Sequence, residues 1–178
     1  MTKLLRLLTL TMLILVCGGI NAQTTITFDS KTDKASSAQS GAVSLTKDAV
    51  TINAEEGILG NGKEYRFYKG KKVTLTTTKD QILSVEFTCT ALGKEKYGPG
   101  CFTAASGEYN FSGKVGTWTG AASSVVFTAT GNQVRATKIV VTIGKADPTA
   151  VKEPTITGNA TFETSTTVTI TGPEGADI

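Results

Sequence analysis

The sequence predicts an all-β protein whose main domain is an antiparallel, jelly-roll-like β-sandwich. After residue 23, apolar and polar residues alternate with a period of two, which is typical of strands with one buried face. The intervals between the alternating stretches are short and contain Gly and Ser, so they favour tight turns between antiparallel strands. A parallel sheet would need crossover helices, for which these intervals leave no room. A closed barrel is the alternative arrangement of the same strands.

The alternation predicts nine or ten short strands between residues 23 and 144. In chain order they cover 24–28, two strands within 42–53 separated by a kink, 64–68, 72–78, 82–91, 108–112, 115–120, 123–130 and 133–143. Lys69-Gly70-Lys71 is predicted to be a hairpin turn between the strands that flank it. In the strand 82–91, the residues expected to face inward are Leu83, Val85, Phe87 and Cys89.

Residues 1–22 have the pattern of a secretory signal peptide. Lys3 and Arg6 form a short basic start, residues 7–16 are mostly apolar, and small and polar residues follow. The apolar run is shorter than the roughly 20 residues that span a bilayer. We therefore expect a secreted or cell-surface protein with no membrane span in the mature chain. An uncleaved N-terminal membrane anchor, and a lipoprotein modified at Cys17, are the alternatives.

The composition argues against several kinds of chemistry. The chain has no histidine, which is the commonest general base and a common zinc ligand. Its net charge is +3, and it lacks the basic stripe that nucleic-acid binding requires. Glu55 and Glu56 are adjacent, so on a strand they would point to opposite faces and could not act as the facing carboxylates of a glycosidase. We expect no catalytic residues and no nucleic-acid partner.

Two small sets of residues are candidates for a cross-link or an ion site. Cys89 and Cys101 would remain in an exported chain, where they would either form a disulfide or stay as buried thiols. Asp29, Asp33 and Asp48 lie near predicted strand ends and are the candidates for a Ca²⁺ site, although they lack EF-hand spacing. No other cofactor or metal is expected.

The segment 145–154 reads as an interdomain linker, because it holds two of the four prolines among small and charged residues. The residues after it, 155–178, contain one further alternating strand and are too few to bury a core by themselves. The stretch Phe162…Val168-Thr169-Ile170…Pro173-Glu174-Gly175-Ala176 resembles the opening of the chitobiase/β-hexosaminidase C-terminal domain. That resemblance implies the first strands of an immunoglobulin-like appendage, cut short, within a longer polypeptide.

Residues 96–143 resemble a recurrent, uncharacterised module of large secreted and surface proteins in Gram-negative anaerobes. The matching features are Tyr97-Gly98-Pro99-Gly100, Gly116-Thr117-Trp118-Thr119-Gly120, the stretch 123–128 and Gln133-Val134-Arg135. The resemblance implies a secreted β-sandwich at 23–144, and it brings no catalytic residues with it.

The aromatic side chains are the candidates for ligand binding. Trp118, the only tryptophan, either fills the core or offers a flat face to a sugar ring, and the core is the favoured alternative. Tyr97, in a Gly-Pro-Gly loop, is expected to be more exposed, and Tyr68 and Tyr109 would add to such a site. We therefore expect a non-catalytic extracellular module that binds carbohydrate or mediates adhesion. A structural spacer, and an accessory domain of a secreted hydrolase, are the alternatives.

Overall fold

The computed structural model describes residues 22–146, 155–157 and 169–171 of the 178-residue chain. The predicted signal peptide, most of the predicted linker and most of the immunoglobulin-like segment lie outside the described residues. Thirteen strands are present in the described part: β1 Thr24–Asp29, β2 Gly41–Lys47, β3 Val50–Ile58, β4 Tyr65–Phe67, β5 Lys72–Thr77, β6 Gln81–Cys89, β7 Thr103–Ala104, β8 Glu108–Ser112, β9 Val115–Ala122, β10 Ser124–Thr128, β11 Val134–Gly144, β12 Thr155–Thr157 and β13 Thr169–Thr171. One short 3₁₀ turn, Pro99–Cys101, lies between β6 and β7.

The strands β1 to β11 form an antiparallel β-sandwich, as the alternation predicts. One layer has the order β2-β3-β5-β10-β7, and the other has β1-β11-β6-β9-β8. The two layers are joined at one edge, where the short strand β4 pairs with β3 on one side and with β11 on the other. The hydrogen-bonded path is therefore continuous through nine of the eleven strands, with β1 and β2 pairing onto β11 and β3, and the sandwich is closed on that side.

The segment Lys69-Gly70-Lys71 does not form the predicted hairpin, because β4 and β5 do not pair with each other. Both strands run antiparallel to β3 along the same edge: Phe67 faces Gly57, and Val73 faces Ala54. The segment is a kink within one continuing direction of the chain, and Gly70 has a positive φ of 78° there. Its effect is to move the chain from the corner strand into the first layer.

The prediction that Leu83 faces inward is wrong, and a β-bulge is the reason. On β11, Ile143 and Thr142 are neighbours, but their partners on β6 are Ile82 and Ser84. The extra residue on β6 shifts the side-chain alternation by one position. Ile82 is consequently buried and Leu83 is half-exposed, while the alternation farther along the strand buries Val85, Phe87 and Cys89 as predicted.

The core lies between the two layers and is centred on aromatic side chains. Phe87 of β6 meets Phe127 of β10 edge to face, with ring centroids 5.0 Å apart. Phe102 packs on both of these rings, with centroid distances of 5.1 and 5.7 Å, and Phe67 packs on Phe102 at 5.6 Å. Aromatic contacts of this kind add to the stabilisation from apolar burial. Strands from both layers and the corner thus share one core.

The strands β12 and β13 form a separate antiparallel ladder, in which Ile156 faces Ile170. The expectation of an immunoglobulin-like start depends mostly on residues outside the described ranges. Among the described residues, we find no helix with the length and apolar character needed to cross a membrane.

Candidate binding cleft

An open cleft of about 550 Å³ lies beside the edge strand β8. It is bounded by β8, by the 3₁₀ turn, by β7 and by the loop after β10. The lining residues that carry side chains are Lys94, Phe102, Thr103, Ala104, Tyr109, Phe111 and Thr130. Three glycines, Gly100, Gly107 and Gly131, complete the lining. Side chains of the protein fill the space over two of these glycines: Phe111 and Lys94 lie over Gly100, and Trp118 lies over Gly107.

Phe111 is the aromatic ring that the cleft presents to solvent. It is 41% exposed, whereas most other large apolar side chains in the described part are buried. Its Cζ atom lies 2.9 Å from the point where a Cβ on Gly100 would stand, and the Cγ atom of Lys94 lies 2.9 Å from the same point. The ring and the lysine stem therefore lie side by side over a glycine. Phe111 is not among the predicted ligand residues, although it lies in phase with the predicted Tyr109 on β8.

Tyr109 is the one predicted ligand residue that lines this cleft. Its hydroxyl donates to the carbonyl oxygen of Pro99 at 2.9 Å, and its ring packs against Phe127 with centroids 5.7 Å apart. Burial raises the pKa of Tyr109, and nearby Cys89 and Cys101 raise it further. The phenol is therefore protonated and fixed at neutral pH, so it forms a rigid wall of the cleft.

Trp118 lies in the core and offers no free face to a sugar. It is 1% exposed, and its Nε1–H donates to the carbonyl oxygen of Ser106 at 2.6 Å. A Cβ on Gly107 or on Gly120 would collide with the indole ring. Of the two alternatives predicted for Trp118, the core position is the one found, and these glycines make room for it.

Tyr97 and Tyr68 lie away from the cleft. Tyr97 is half-buried, and the guanidinium carbon of Arg135 lies 3.7 Å from its ring centroid. The cation covers the ring face that an exposed tyrosine would offer to a ligand. Tyr68 follows β4 and is also half-buried, with its backbone N–H donating to the carbonyl oxygen of Glu56. The structure therefore does not bring the four predicted aromatic residues together.

Cys89 and Cys101 are both buried and both free thiols. The Cys101 thiol is directed toward the carbonyl oxygen of Glu95, at 3.2 Å. Burial raises the pKa of Cys89 to about 12, with a smaller contribution from Cys101. Of the two alternatives for this pair, the structure has the buried thiols and not the disulfide.

The three candidate calcium ligands do not converge. Asp33 accepts the Asp29 backbone N–H at 2.9 Å and pairs with Lys47 Nζ at 2.9 Å. The backbone hydrogen bond, followed by the lysine, lowers the pKa of Asp33. Asp48 lines a pocket together with Thr24, and Thr24 begins β1 whereas Asp29 ends it, about 16 Å away along the strand. Within the described ranges, no three His, Cys, Asp or Glu side chains are grouped to hold a metal ion.

Comparison with known proteins adds no relative: no family model, no curated protein and no solved structure matches the chain.

Proposed function

We propose that this protein is a non-catalytic binding module of a larger exported or cell-surface polypeptide, and that the cleft beside β8 binds carbohydrate. The observation that carries the proposal is the half-exposed ring of Phe111 at the rim of a cleft with polar walls. Concave sites with one or two aromatic faces and a few hydrogen-bonding groups are typical of small-ligand recognition.

The chemistry of the lining suits a sugar. The apolar C–H face of a pyranose would stack on Phe111, while its hydroxyl groups would meet the hydroxyls of Thr103 and Thr130. The cleft is open, so an internal unit of a longer chain would fit as well as a terminal one.

The titratable groups of the lining favour binding over bond cleavage. In the described part of the chain, Lys94 and Tyr109 are the titratable side chains that line the cleft. The phenol of Tyr109 is engaged with Pro99, and its raised pKa leaves it protonated. An acid–base pair for hydrolysis requires two groups of different proton affinity facing the same bond. A ligand-holding role therefore agrees better with this lining than a hydrolytic one.

A glycan array followed by calorimetry tests the proposal. We expect the purified chain to bind at least one class of glycan, and Phe111→Ala to weaken that binding about ten-fold or more, equivalent to about 1.4 kcal/mol. Phe111→Trp should retain binding because it keeps a flat ring. Leu92→Ala is the matched control, since Leu92 is 49% exposed and does not line the cleft.

Phe111→Ala should change the free energy of unfolding by less than about 1 kcal/mol, because the ring is already half-exposed. A loss of binding in this variant would therefore not reflect unfolding. A chain that binds no glycan across the array would contradict the proposal and favour the structural spacer. Equal binding by the Phe111→Ala and wild-type proteins would contradict the assignment of the cleft.

A further inference from the structure

Two arginines face each other on the outer side of the corner where the two layers join. Arg66 of β4 and Arg135 of β11 are direct cross-strand partners in the antiparallel ladder. Like charges in this position repel and destabilise a sheet unless another group compensates them. The chain has three arginines in all, so two of the three are placed opposite each other.

One carboxylate bridges the two guanidinium groups. Oε1 of Glu64 accepts from Nε of Arg66 and from a terminal nitrogen of Arg135, each at 2.9 Å. Two guanidinium groups and one carboxylate leave an uncompensated positive charge. The three side chains are 29%, 23% and 15% exposed, in the order Arg66, Arg135 and Glu64, so water screens this charge only partly.

Arg135 is held in place by contacts other than the one with Glu64. Nε of Arg135 donates to the side-chain oxygen of Gln133 at 3.0 Å, and its guanidinium group lies on the ring of Tyr97. Tyr97 has a positive φ of 81°, which is strained for a bulky residue. Two backbone hydrogen bonds, Tyr97 N–H to Gln133 and Arg135 N–H to Tyr97, maintain this conformation.

Donors remain free at this site. A guanidinium group has five N–H donors, and Glu64 uses only the Nε donor of Arg66. Within residues 22–146, the terminal nitrogens of Arg66 donate to no protein acceptor. Lys96, whose Nζ is 5.1 Å from the Tyr97 ring centroid, adds a third cation nearby.

We propose that Arg66 and Arg135 form a binding site for an oxyanion group, a carboxylate or a sulfate, with Glu64 as the internal competitor that orients both arginines. A planar guanidinium fork binds such groups through two parallel hydrogen bonds. The site shares no residue with the cleft beside β8, so it does not depend on the carbohydrate proposal. A polymer that carries uronate or sulfate groups would supply this chemistry.

Titrations with sodium sulfate and with sodium glucuronate, at constant ionic strength set by sodium chloride, test the proposal. The Nε–Hε resonances of the arginines in the full chain report binding directly, because so few arginines are present. We expect saturable shifts of the Arg66 and Arg135 resonances with a dissociation constant on the order of 1 mM. The stronger response of the two titrations identifies sulfate or carboxylate as the preferred group.

Substitutions distinguish a binding site from a structural ion bridge. Glu64→Gln keeps the shape and an acceptor oxygen but removes the competing charge, so it should tighten anion binding about five-fold. Arg66→Lys keeps the charge but loses the fork, so it should weaken binding about ten-fold. Glu56→Gln is the matched control, because it breaks the exposed Glu56–Lys71 pair at 3.1 Å and should leave the titration unchanged.

Emission from Trp118 verifies that each variant is folded. The proposal would be overturned by linear, unsaturated shifts in both the wild-type and Glu64→Gln proteins. It would also be overturned if Glu56→Gln tightened binding as much as Glu64→Gln, since the effect would then come from net charge alone.

Discussion

Replacing Trp118 with alanine should bring the sandwich close to unfolding. The indole is 1% exposed, so the substitution removes about 200 Å² of buried surface, worth about 5 kcal/mol at 25 cal/mol per Å². Measured costs for truncating a buried Trp or Phe are about 3–5 kcal/mol, and loss of the hydrogen bond to Ser106 contributes about 1 kcal/mol. We therefore expect the free energy of unfolding to fall by about 4 kcal/mol, from a total that is typically 5–15 kcal/mol.

Gly120 supplies an internal check on this reasoning. A Cβ at Gly120 would lie 2.6 Å from Cζ2 of Trp118, so Gly120→Ala in the wild-type protein should destabilise by about 1–3 kcal/mol. In the Trp118→Ala protein the added methyl group would occupy vacated space, and its cost should disappear. The double-mutant cycle should thus give a coupling of about 1–3 kcal/mol.

Urea unfolding followed by far-ultraviolet circular dichroism measures all four proteins, because it does not depend on tryptophan emission. Wild-type emission should be blue-shifted and poorly quenched by acrylamide, since the chain has a single tryptophan and it is buried. If Trp118→Ala lowered the free energy of unfolding by less than about 1 kcal/mol, or if the two substitutions were additive, the indole would not be a packed part of the core.

Two further predictions concern buried or paired titratable groups. Because burial raises the pKa of Cys89 to about 12, the native thiol should react far more slowly with a disulfide reagent at pH 8 than the urea-unfolded chain; equal rates would contradict its burial. Because of this raised pKa, the contribution of the Cys89 thiol to the free energy of unfolding is intact below about pH 9 and is lost as the pH rises toward 12. Cys89→Ala should therefore reduce the decrease in unfolding free energy at alkaline pH, measured by urea unfolding. The pKa of Asp33 is lowered by folding, so its contribution is present above about pH 4 and is lost as the pH falls through the folded value. Asp33→Asn should lower the free energy of unfolding at pH 7 and weaken its dependence on pH between about pH 2 and 5. An unchanged pH dependence in that range would show that the contacts with Asp29 and Lys47 do not stabilise the fold.

The sequence was a good guide to the strands because a buried face imposes its own period. The alternation in 72–78 and 133–143 matches β5 and β11 to within a residue. The alternation was a poor guide where strand pairing by hydrogen bonds, and not hydrophobicity, decides which way a side chain points. The bulge at Leu83 and the kink at Gly70 depend on which strand lies alongside, and a single sequence does not specify that neighbour.

The candidate sites were less accessible to sequence reasoning, because they depend on contacts between distant segments. Tyr97 looked exposed from its Gly-Pro-Gly context, yet Arg135 covers its ring. Phe111 looked like any alternating aromatic residue, yet its ring is half-exposed and lies over Gly100, which belongs to a different loop. Neither outcome has a local signature in the residues that flank these rings.

The pairing of β1 with β11 has a kinetic consequence. Thr24 faces Ile143, so the first and last strands of the sandwich meet, and β11 also pairs with β6, the central strand of its layer. Closing so long a loop is entropically unfavourable, and topologies dominated by distant pairings fold slowly. A chain emerging from a ribosome therefore cannot complete this layer until residue 144 is available. Until then β6 has only one of its two neighbouring strands, β9, and its unpaired edge is open to aggregation.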